Sequence, residues 1–400
     1  MKISKFYPRE IKYVFLFFVC ITFLISCQNQ GNKKQDLETT KISKTSFSFP
    51  KFNSLEKKYI QEKRKEIAHF YTKNIDVDHF SGSFLVAKNG KVLFEKYTGY
   101  SNFKNKTKIN SSSAIHLASI SKVMTATVIL RLIDAKKTTL ETKIKEYFPE
   151  FPYSNITIET LLNHRSGLPN YLHFSDIDSI WDKSKMIHNE DILNLIISKK
   201  VGLDFEPNTK FSYNNTNYAI LALVIEKITQ LSFPKAMKTY LFEPLQMNNT
   251  FVFEIDKHED TVGKNYKSTW EEIPCNYQDA VYGDKNIYST PRDILKLDLA
   301  TYSDDFLSKD IKSKAYKGYS YEKKGVNNYG LGIRLREWDD GKTMFYHNGW
   351  WHGNKTSYIT LKKDTVTMIA LSNKYTSKVY QIKRLSSLFG DYPFTIEDEE

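Results

Sequence analysis

The spacing of apolar residues predicts strands towards both ends of the chain and helices in its middle. The apolar runs 82–87 and 92–96 flank an Asn-Gly pair at 89–90, which is a strong signal for a β-hairpin. Strands are expected again at 329–336, 342–347, 356–362 and 366–371. Helix-like spacing predicts helices at 54–73, 123–135, 157–163, 191–198, 218–228 and 378–388.

This order of elements predicts the fold class. Strands at both termini around a helical middle favour an α+β fold, in which an antiparallel sheet of N- and C-terminal strands is flanked by helices. The sheet part would span 54–118 and 300–400, and a mostly helical subdomain, 119–299, would be inserted between them. No internal repeat is visible, so we expect 54–400 to form one domain.

The first thirty residues have the composition of an export signal. Four cations precede a nearly continuous apolar run at 14–25. As a helix this run spans roughly 18 Å, well short of the roughly 30 Å hydrocarbon core of a bilayer. That length favours the apolar core of a signal peptide over a membrane span.

The next feature is a run of four residues, Leu24 to Cys27, that resembles a bacterial lipobox. We expect a lipoprotein signal peptide at 1–26, lipidation of Cys27 and a polar, flexible tether at 27–53. The chain would then be an exported lipoprotein, anchored in a membrane and facing the periplasm or the cell exterior. The alternative is a short uncleaved anchor in which Cys27 stands by chance.

Composition argues against three broad classes of protein. With 40% apolar and 14% aromatic residues, most of the chain must bury a large core, so it is not a disordered protein. The net charge is +12, but the lysines are scattered and no recognition motif is present, so nucleic acid is not expected as a partner. Three cysteines cannot build a disulfide framework.

Several familiar motifs are absent. The chain has no Gly-x-Ser-x-Gly, which argues against an α/β-hydrolase nucleophile elbow, and no His-Glu-x-x-His. Its nine histidines show no metal-ligand spacing. The Gly-Lys-Thr at 341–343 is not a phosphate loop, because Arg336 stands where such a loop needs its first glycine. These absences argue against a metal site of that spacing and against a phosphate-loop nucleotide site.

A Ser-x-x-Lys motif at 119–122 is the first candidate for chemistry. Six copies of this motif occur, but only this one opens a long run that is apolar nearly all round, which is typical of a buried helix. Ser119 would lie in the first turn with Lys122 on the same face. Partial desolvation of Lys122 would favour its proton-accepting form. An N-cap serine beside a snorkelling lysine is the equally supported alternative.

A Tyr-x-Asn motif, Tyr213 and Asn215, is the second candidate. Four copies of this pair occur, and this one lies on a turn that leads into the apolar helix predicted at 218–228. A phenol beside a lysine cation can take or relay a serine proton, and the amide of Asn215 can donate to a substrate carbonyl and accept from Lys122. A capping turn with a core-facing tyrosine would have the same sequence.

The third candidate is the run 347–353 at the end of a predicted strand. Gly349 would let a substrate backbone lie against the strand edge, and the N–H of Trp350 would serve an oxyanion hole. Taken alone, this stretch is better explained as aromatic core followed by a turn.

In this order and spacing, the three elements resemble the serine β-lactamase and penicillin-binding protein superfamily. The similarity is to its branch of class C β-lactamases, D-Ala-D-Ala carboxypeptidases and esterases, and it covers about residues 80–373. The hairpin at 81–91, the loop at 161–169 and the runs 244–247 and 288–293 also match. In that loop we interpret His164 as a structural turn residue. The resemblance implies a β-lactamase/transpeptidase-like fold for the catalytic domain at 54–400.

The resemblance also implies roles for individual residues. Ser119 would be the nucleophile that forms an acyl-enzyme, and Lys122 and Tyr213 would share the general-base and general-acid work in an order that stays open. Asn215 would orient the substrate, and the N–H groups of Ser119 and Trp350 would form the oxyanion hole. No metal or cofactor is implied.

Two positions depart from the pattern of the superfamily. His347 begins the third motif where β-lactamases of this branch commonly have lysine, and a partly charged histidine would attract a substrate carboxylate less strongly. Asn208 stands where a glycine is usual. Trp350 and Trp351 either wall a pocket for apolar groups or belong to the core.

The sequence thus predicts a membrane-tethered serine hydrolase of amide or ester bonds. Its small-molecule or peptide substrate would be a D-amino-acid peptide of the D-Ala-D-Ala carboxypeptidase type, or a β-lactam-like compound, which we rank lower. One alternative is a small-ester carboxylesterase of the same fold. Another is a non-catalytic penicillin- or peptide-binding module, which would have no need of both Lys122 and Tyr213. No oligomeric state is predicted.

Overall fold

The centre of the molecule is a seven-stranded antiparallel sheet with the strand order β2-β1-β12-β11-β10-β9-β8. Two small sheets, β3-β4 and β5-β7-β6, accompany it. In the described part of the chain the strands are β1 (Gly82–Lys88), β2 (Lys91–Thr98), β3 (Tyr100–Asn102), β4 (Thr107–Lys108), β5 (Ile115–His116), β6 (Phe251–Val252), β7 (Ile287–Ser289), β8 (Asn327–Tyr329), β9 (Arg334–Glu337), β10 (Thr343–Trp351), β11 (Asn354–Leu361) and β12 (Val366–Ser372).

Helices occupy most of the chain between β2 and β8. The α-helices are α1 (Lys57–Phe70), α2 (Ser121–Asp134), α3 (Ile144–Tyr147), α4 (Ile158–Leu162), α5 (Tyr171–Phe174), α6 (Asn189–Lys199), α7 (Asn215–Thr229), α8 (Phe233–Met237), α9 (Ile255–His258), α10 (Pro291–Ala300) and α11 (Lys309–Ala315). Two π-helical segments (Tyr71–Ile75 and Lys238–Phe242) and two 3₁₀ segments (Ala118–Ile120 and Lys378–Leu388) complete the helical elements.

This structure is a computed structural model that describes residues 47–199 and 201–396. The predicted signal peptide 1–26, the predicted lipidation site Cys27 and most of the predicted tether lie outside these residues. The described end of that tether contacts the domain, because the ring of Phe47 lies 5.3 Å from that of Phe306. Within 47–199 and 201–396, no helix combines the length and the hydrophobicity needed to cross a membrane.

The predicted joining of the two chain ends in one sheet is confirmed. Strand β1 pairs with β12 along its whole length, from Gly82 opposite Ser372 to Lys88 opposite Val366. The hairpin between β1 and β2 turns at Asn89 and Gly90, whose φ angles are 50° and 71°. Left-handed backbone at both positions is what a tight hairpin turn requires, and Asn-Gly tolerates it best. The α+β class is therefore confirmed.

The apolar patterns that predicted α2 and α7 correspond to helices that are buried over most of their length. Nearly every residue of α2 is inaccessible to solvent over its first ten positions, and α7 is buried from Thr216 to Ile225. The two helices pack against each other. This burial includes the first turns of both helices, so the side chains there are closely packed.

The strand predicted at 329–336 is wrong as a single element. The chain reverses there, and β8 and β9 pair with each other across a turn at 330–333. Gly332 has a φ of +88°, and a Cβ on it would lie 2.2 Å from the Cβ of Ala126 in α2. Only glycine fits so tight a turn against a buried helix, so the reversal depends on a tertiary contact.

Candidate active site

Ser119 lies in the 3₁₀ turn that enters α2, and this turn is held from two sides. The preceding residue, Ala118, has a φ of 49°, which is left-handed and costly for a residue with a Cβ. Its backbone N–H donates to His116 Nδ1 at 3.1 Å. On the other side Thr356 Oγ1 donates to the carbonyl of Leu117 at 2.7 Å. These contacts maintain the strained turn and fix the direction of the serine.

Position 349 on β10 must be glycine, because the backbone turn before Ser119 passes very close to it. A Cβ at this position would lie 2.4 Å from the carbonyl oxygen of Leu117 and 2.2 Å from Thr356 Oγ1. The sequence suggested that Gly349 makes room for a substrate. The structure shows that it also makes room for the backbone just before Ser119.

Lys122 is the centre of the polar network. Its side chain is fully buried, and Nζ donates to Asn215 Oδ1 at 2.7 Å, to the backbone carbonyl of Asp284 at 2.8 Å and to Ser119 Oγ at 3.3 Å. Buried amines need such acceptors, because an unsatisfied one would cost the full desolvation penalty. The predicted pair Ser119 and Lys122 is therefore in hydrogen-bond contact, with Asn215 as a further partner.

Tyr213 lies beside Lys122, as the sequence suggested. The Nζ of Lys122 is 5.0 Å from the centroid of the Tyr213 ring, and the guanidinium carbon of Arg334 is 4.7 Å from it. The Tyr213 hydroxyl is buried and has no hydrogen-bond partner within 47–199 and 201–396. A phenol between two cations, with its oxygen unoccupied, is suited to exchange a proton with a bound substrate.

His164 supports the Tyr213 loop. Its Nδ1 accepts the backbone N–H of Asn214 at 3.2 Å, and its ring centroid is 4.5 Å from that of Tyr213. Burial, reinforced by the nearby Lys122, lowers the pKa of His164 well below its usual range, so the imidazole is neutral. These contacts agree with our interpretation of His164 as a structural residue.

The unusual Asn208 has a backbone explanation. Its φ is 68°, in the left-handed region where glycine is most at ease and asparagine is the next best choice. The departure from the usual glycine therefore preserves the loop that leads to Tyr213.

His347 does not reach the cavity that contains Ser119. It is fully buried, with Nδ1 2.9 Å from the carbonyl of Asn348 and Nε2 3.2 Å from the hydroxyl of Tyr329. Burial lowers its pKa well below the usual range, and Arg334 and Lys122 lower it further. A neutral, enclosed imidazole cannot supply the cation expected at this position of the motif.

Arg334 supplies a cation on the cavity wall that the sequence analysis missed. Ser119, Tyr213 and Asn215 line a cavity of about 690 Å³, together with Arg334 and Gly349; we call it the site cavity. Arg334 belongs to no motif. Only the pairing of β9 with β10 brings it beside Tyr213, so no local signal in the sequence could have found it.

Asp284 and Lys285 also line the site cavity, and the sequence did not indicate them. Both are buried and form an ion pair at 3.6 Å, and Tyr171 donates to Asp284 Oδ2 at 3.0 Å. The backbone carbonyl of Asp284 contacts Lys122 directly, as one of its three acceptors.

The two tryptophans of the third motif have different environments. Trp350 lines the site cavity and is 64% exposed, so it is not a core residue. Trp351 also lines the cavity, but its Nε1 donates to Asp279 Oδ1 at 2.6 Å, which fixes its ring. Within the described part of the chain, no group of three or more His, Cys, Asp or Glu side chains is arranged to hold a metal ion.

Comparison with known proteins gives a consistent result. The family model described as Beta-lactamase matches residues 64–386. A penicillin-binding protein of Bacillus subtilis (strain 168) is 32% identical over 357 residues, covering 84% of this chain and 78% of that protein. A teichoic acid D-alanine hydrolase of Staphylococcus aureus is 28% identical over 222 residues, covering 54% of this chain and 53% of that protein.

The fold is also found among solved structures. The crystal structure of a penicillin-binding protein from Bacillus halodurans superposes with a TM-score of 0.71 at 22% identity, covering 80% of this chain and 99% of that one. At this identity the likeness shows the shared fold.

Proposed function

This chain belongs to the beta-lactamase family, within the serine β-lactamase and penicillin-binding protein superfamily, and from that premise we propose that it cleaves D-amino-acid amides or esters through an acyl-enzyme on Ser119. The family supports a serine hydrolase. The observation that carries the finer proposal is the contact of Ser119 Oγ with the buried Lys122, next to the unoccupied hydroxyl of Tyr213.

The proposed reaction has two steps. Ser119 Oγ forms a bond to the substrate carbonyl carbon while its proton passes to Lys122 as the neutral amine or to Tyr213 as the tyrosinate, and the bond to the leaving nitrogen or oxygen breaks as that group receives the proton. Water then gives a proton to the same base and attacks the acyl carbon. The bond from that carbon to Ser119 Oγ breaks, Oγ takes the proton back, and the acid leaves. Backbone N–H groups of Ser119 and Trp350 would stabilise the oxyanion, a contribution of about 3 kcal/mol per donor.

We assign recognition of a leaving-group carboxylate to Arg334 rather than to His347. The residues that return the proton to the leaving group, Tyr213 and Lys122, mark the leaving-group side of the site cavity. Arg334 stacks on the ring of Tyr213 at 4.7 Å and has no ion pair within the described residues. Its planar guanidinium fits a carboxylate bidentately. This favours a substrate that ends in a free carboxylate, such as a D-Ala-D-Ala peptide.

A small ester is the second candidate substrate. The name of the Staphylococcus aureus relative describes hydrolysis of D-alanine from teichoic acid. The exposed ring of Trp350 and the fixed ring of Trp351 give the site cavity an aromatic rim that also accepts uncharged groups. An ester needs no carboxylate beside Arg334.

The proposal is tested by active-site labelling. The full chain is treated with a fluorescent phosphonate and the adduct is mapped by mass spectrometry. We expect one label on Ser119, which is lost in Ser119→Ala. Ser101→Ala is the matched control, because Ser101 also begins a Ser-x-x-Lys motif but lies on β3. An unlabelled wild type, or a label that survives in Ser119→Ala, contradicts the proposal.

The substrate class is tested by Arg334→Gln. If Arg334 binds a carboxylate, the KM for D-Ala-D-Ala peptides rises about tenfold, while kcat/KM for a neutral D-alanyl ester changes much less. Equal losses on both substrates would contradict that role. His347→Gln is the control, because His347 does not line the site cavity.

We also propose that the mature chain is tethered to a membrane through a lipid on Cys27. The support is the run at 24–27 after an apolar segment of signal-peptide length. Metabolic labelling with an alkyne fatty acid should mark the wild type and Cys275→Ser but not Cys27→Ser. Label retained in Cys27→Ser would exclude this tether.

A further inference from the structure

A second cavity meets the site cavity at Arg334. It has a volume of about 640 Å³ and lies between the Tyr213 loop, the β8–β9 hairpin and the segment before β8. We call it the basic cavity, because Lys210, Lys323, Arg334 and Arg336 line it. Arg334 lines both cavities, so the two cavities are adjacent, with this guanidinium at their boundary.

The cations of the basic cavity are not neutralised by neighbouring side chains. Within 47–199 and 201–396, none of Lys210, Lys323, Arg334 and Arg336 forms an ion pair or a side-chain hydrogen bond. The cavity is lined by a single carboxylate, that of Glu322.

That carboxylate is itself neutralised, because Glu322 forms an ion pair with Arg165. Arg165 is anchored further by Ser320 and by the carbonyl of Asn208. The basic cavity therefore carries four uncompensated positive charges. Such a grouping of cations gives the cavity a positive potential, which attracts anionic ligands.

The two arginines have defined positions. Arg334 and Arg336 are two residues apart on β9, so both side chains lie on the same face of the strand, about 6.6 Å apart along it. The guanidinium carbon of Arg336 lies 5.5 Å from the ring centroid of Phe394 and 6.0 Å from that of Tyr346. Stacking on rings orients a guanidinium and leaves its N–H groups available for oxyanions.

We propose that the basic cavity binds an anionic extension of the leaving group, with phosphate or carboxylate groups spaced along a chain. The inference rests on the proposed function, because Tyr213 and Arg334 mark the leaving-group side. A single carboxylate next to the scissile bond would need only Arg334. Arg336, Lys210 and Lys323 lie beyond it. Of the two candidate substrates, the basic cavity therefore favours an ester or amide on an oligoanionic carrier over a peptide whose leaving group is a single D-alanine.

Binding is tested without turnover. Ser119→Ala in the full chain is titrated with fluorescent oligomers of glycerol phosphate, with oligoglutamate and with neutral dextran. We expect an oligoanion to bind, with an affinity that falls as ionic strength rises, and dextran not to bind. Adding Arg336→Gln and Lys323→Gln should weaken binding about tenfold for each cation removed.

Two control variants separate charge from structure. Lys91→Gln removes one charge at the opposite edge of the sheet, on β2, and should leave binding unchanged. Arg336→Lys keeps the charge and should retain most of the affinity, whereas a loss equal to that of Arg336→Gln would indicate packing against Phe394 instead.

Each outcome decides the proposal. Binding of the phosphate oligomer alone, or of oligoglutamate alone, supports it and identifies the anion. No binding of either, or binding that Arg336→Gln and Lys323→Gln do not weaken beyond Lys91→Gln, overturns it. Failure of phosphonate labelling at Ser119 would overturn the proposed function. The binding result could still be interpreted, because it is measured in Ser119→Ala and needs no turnover.

Discussion

The two faces of the seven-stranded sheet differ in the polarity of the side chains that pack on them. One face is covered by α1 and the 3₁₀ segment Lys378–Leu388, and its contacts are almost wholly apolar, with Phe84 and Met368 at the centre. The other face supports α10 and the turn before Ser119. There Asp298 is fully buried and accepts hydrogen bonds from the side chains of Tyr358 and Thr367.

The difference follows from what each face must do. The apolar face only has to exclude water, and any well-packed set of side chains achieves that. The polar face has to hold backbone groups in a strained turn, and directional hydrogen bonds do this better than apolar contact. Thr356, which reaches from β11 to the Leu117 carbonyl, connects this face to the turn that carries Ser119.

The largest effect on stability is expected on the apolar face. Phe84 is fully buried and its ring lies 5.1 Å from that of Tyr71. Phe84→Ala should reduce the free energy of unfolding by about 4 kcal/mol, through lost burial and the cavity left behind. Urea denaturation measures this. Phosphonate labelling of the folded fraction should be unchanged, and a loss of labelling would mean that the two faces are coupled.

On the polar face, Asp298→Ala should lower the free energy of unfolding by about 3 kcal/mol. The substitution leaves the Lys362 ammonium, now 2.6 Å from Asp298 Oδ1, without its carboxylate in a largely buried position. The control is Asp304→Ala, which breaks a pair with Lys312 whose carboxylate is half exposed, and it should lower the free energy of unfolding by less than about 1 kcal/mol. Similar values for both substitutions would remove the contrast between buried and exposed polar groups.

Gly349→Ala tests the coupling of the polar face to catalysis. Its Cβ would overlap the Leu117 carbonyl, so the turn that carries Ser119 must shift. We expect kcat/KM to fall about 100-fold, or about 2.7 kcal/mol. Gly202→Ala is the matched control, since no atom lies within 4 Å of its Cβ position. Unchanged kinetics in Gly349→Ala would show that the turn adjusts freely.

The smallest effect concerns pH. Burial lowers the pKa of His116 from 6.5 to about 4. The unfolded chain therefore binds a proton that the folded chain excludes. The contribution of neutral His116 to the free energy of unfolding is fully present above about pH 6.5 and is lost as the pH falls towards 4. At pH 5 the loss from His116 is about 2 kcal/mol. His164 and His347, whose pKa values burial also lowers, act in the same direction.

Unfolding free energies at pH 7 and pH 5 check this sign. The loss of unfolding free energy between pH 7 and pH 5 should be smaller in His116→Gln than in the wild type. It should be the same as in the wild type in His69→Gln, because His69 is exposed. Stability that rises as the pH falls would contradict the assignment.

Much of the fold could be predicted because the relevant signals are local. Asn89 and Gly90 specify a hairpin by their own backbone preferences, and the apolar runs specify α2 and α7 through periodicity over a few turns. The family was also predicted correctly, since its motifs occupy the starts of these elements. The catalytic roles of Ser119, Lys122 and Tyr213 stay predictions, although the structure brings the three residues together.

The sequence alone predicted the N-terminal hairpin, the two apolar helices α2 and α7, the joining of the chain ends in one sheet and the family. Only the tertiary structure decided how the charges are distributed around them. The backbone carbonyl of Asp284 accepts a hydrogen bond from Lys122, although the two residues are 162 positions apart in the sequence. Arg334 lies beside Tyr213 because of strand pairing and belongs to no motif. The physical reason is that periodicity acts along the chain, whereas burial and Coulomb interactions act through space. Only the folded protein therefore shows that His347 is enclosed and neutral while Arg334 lines the site cavity.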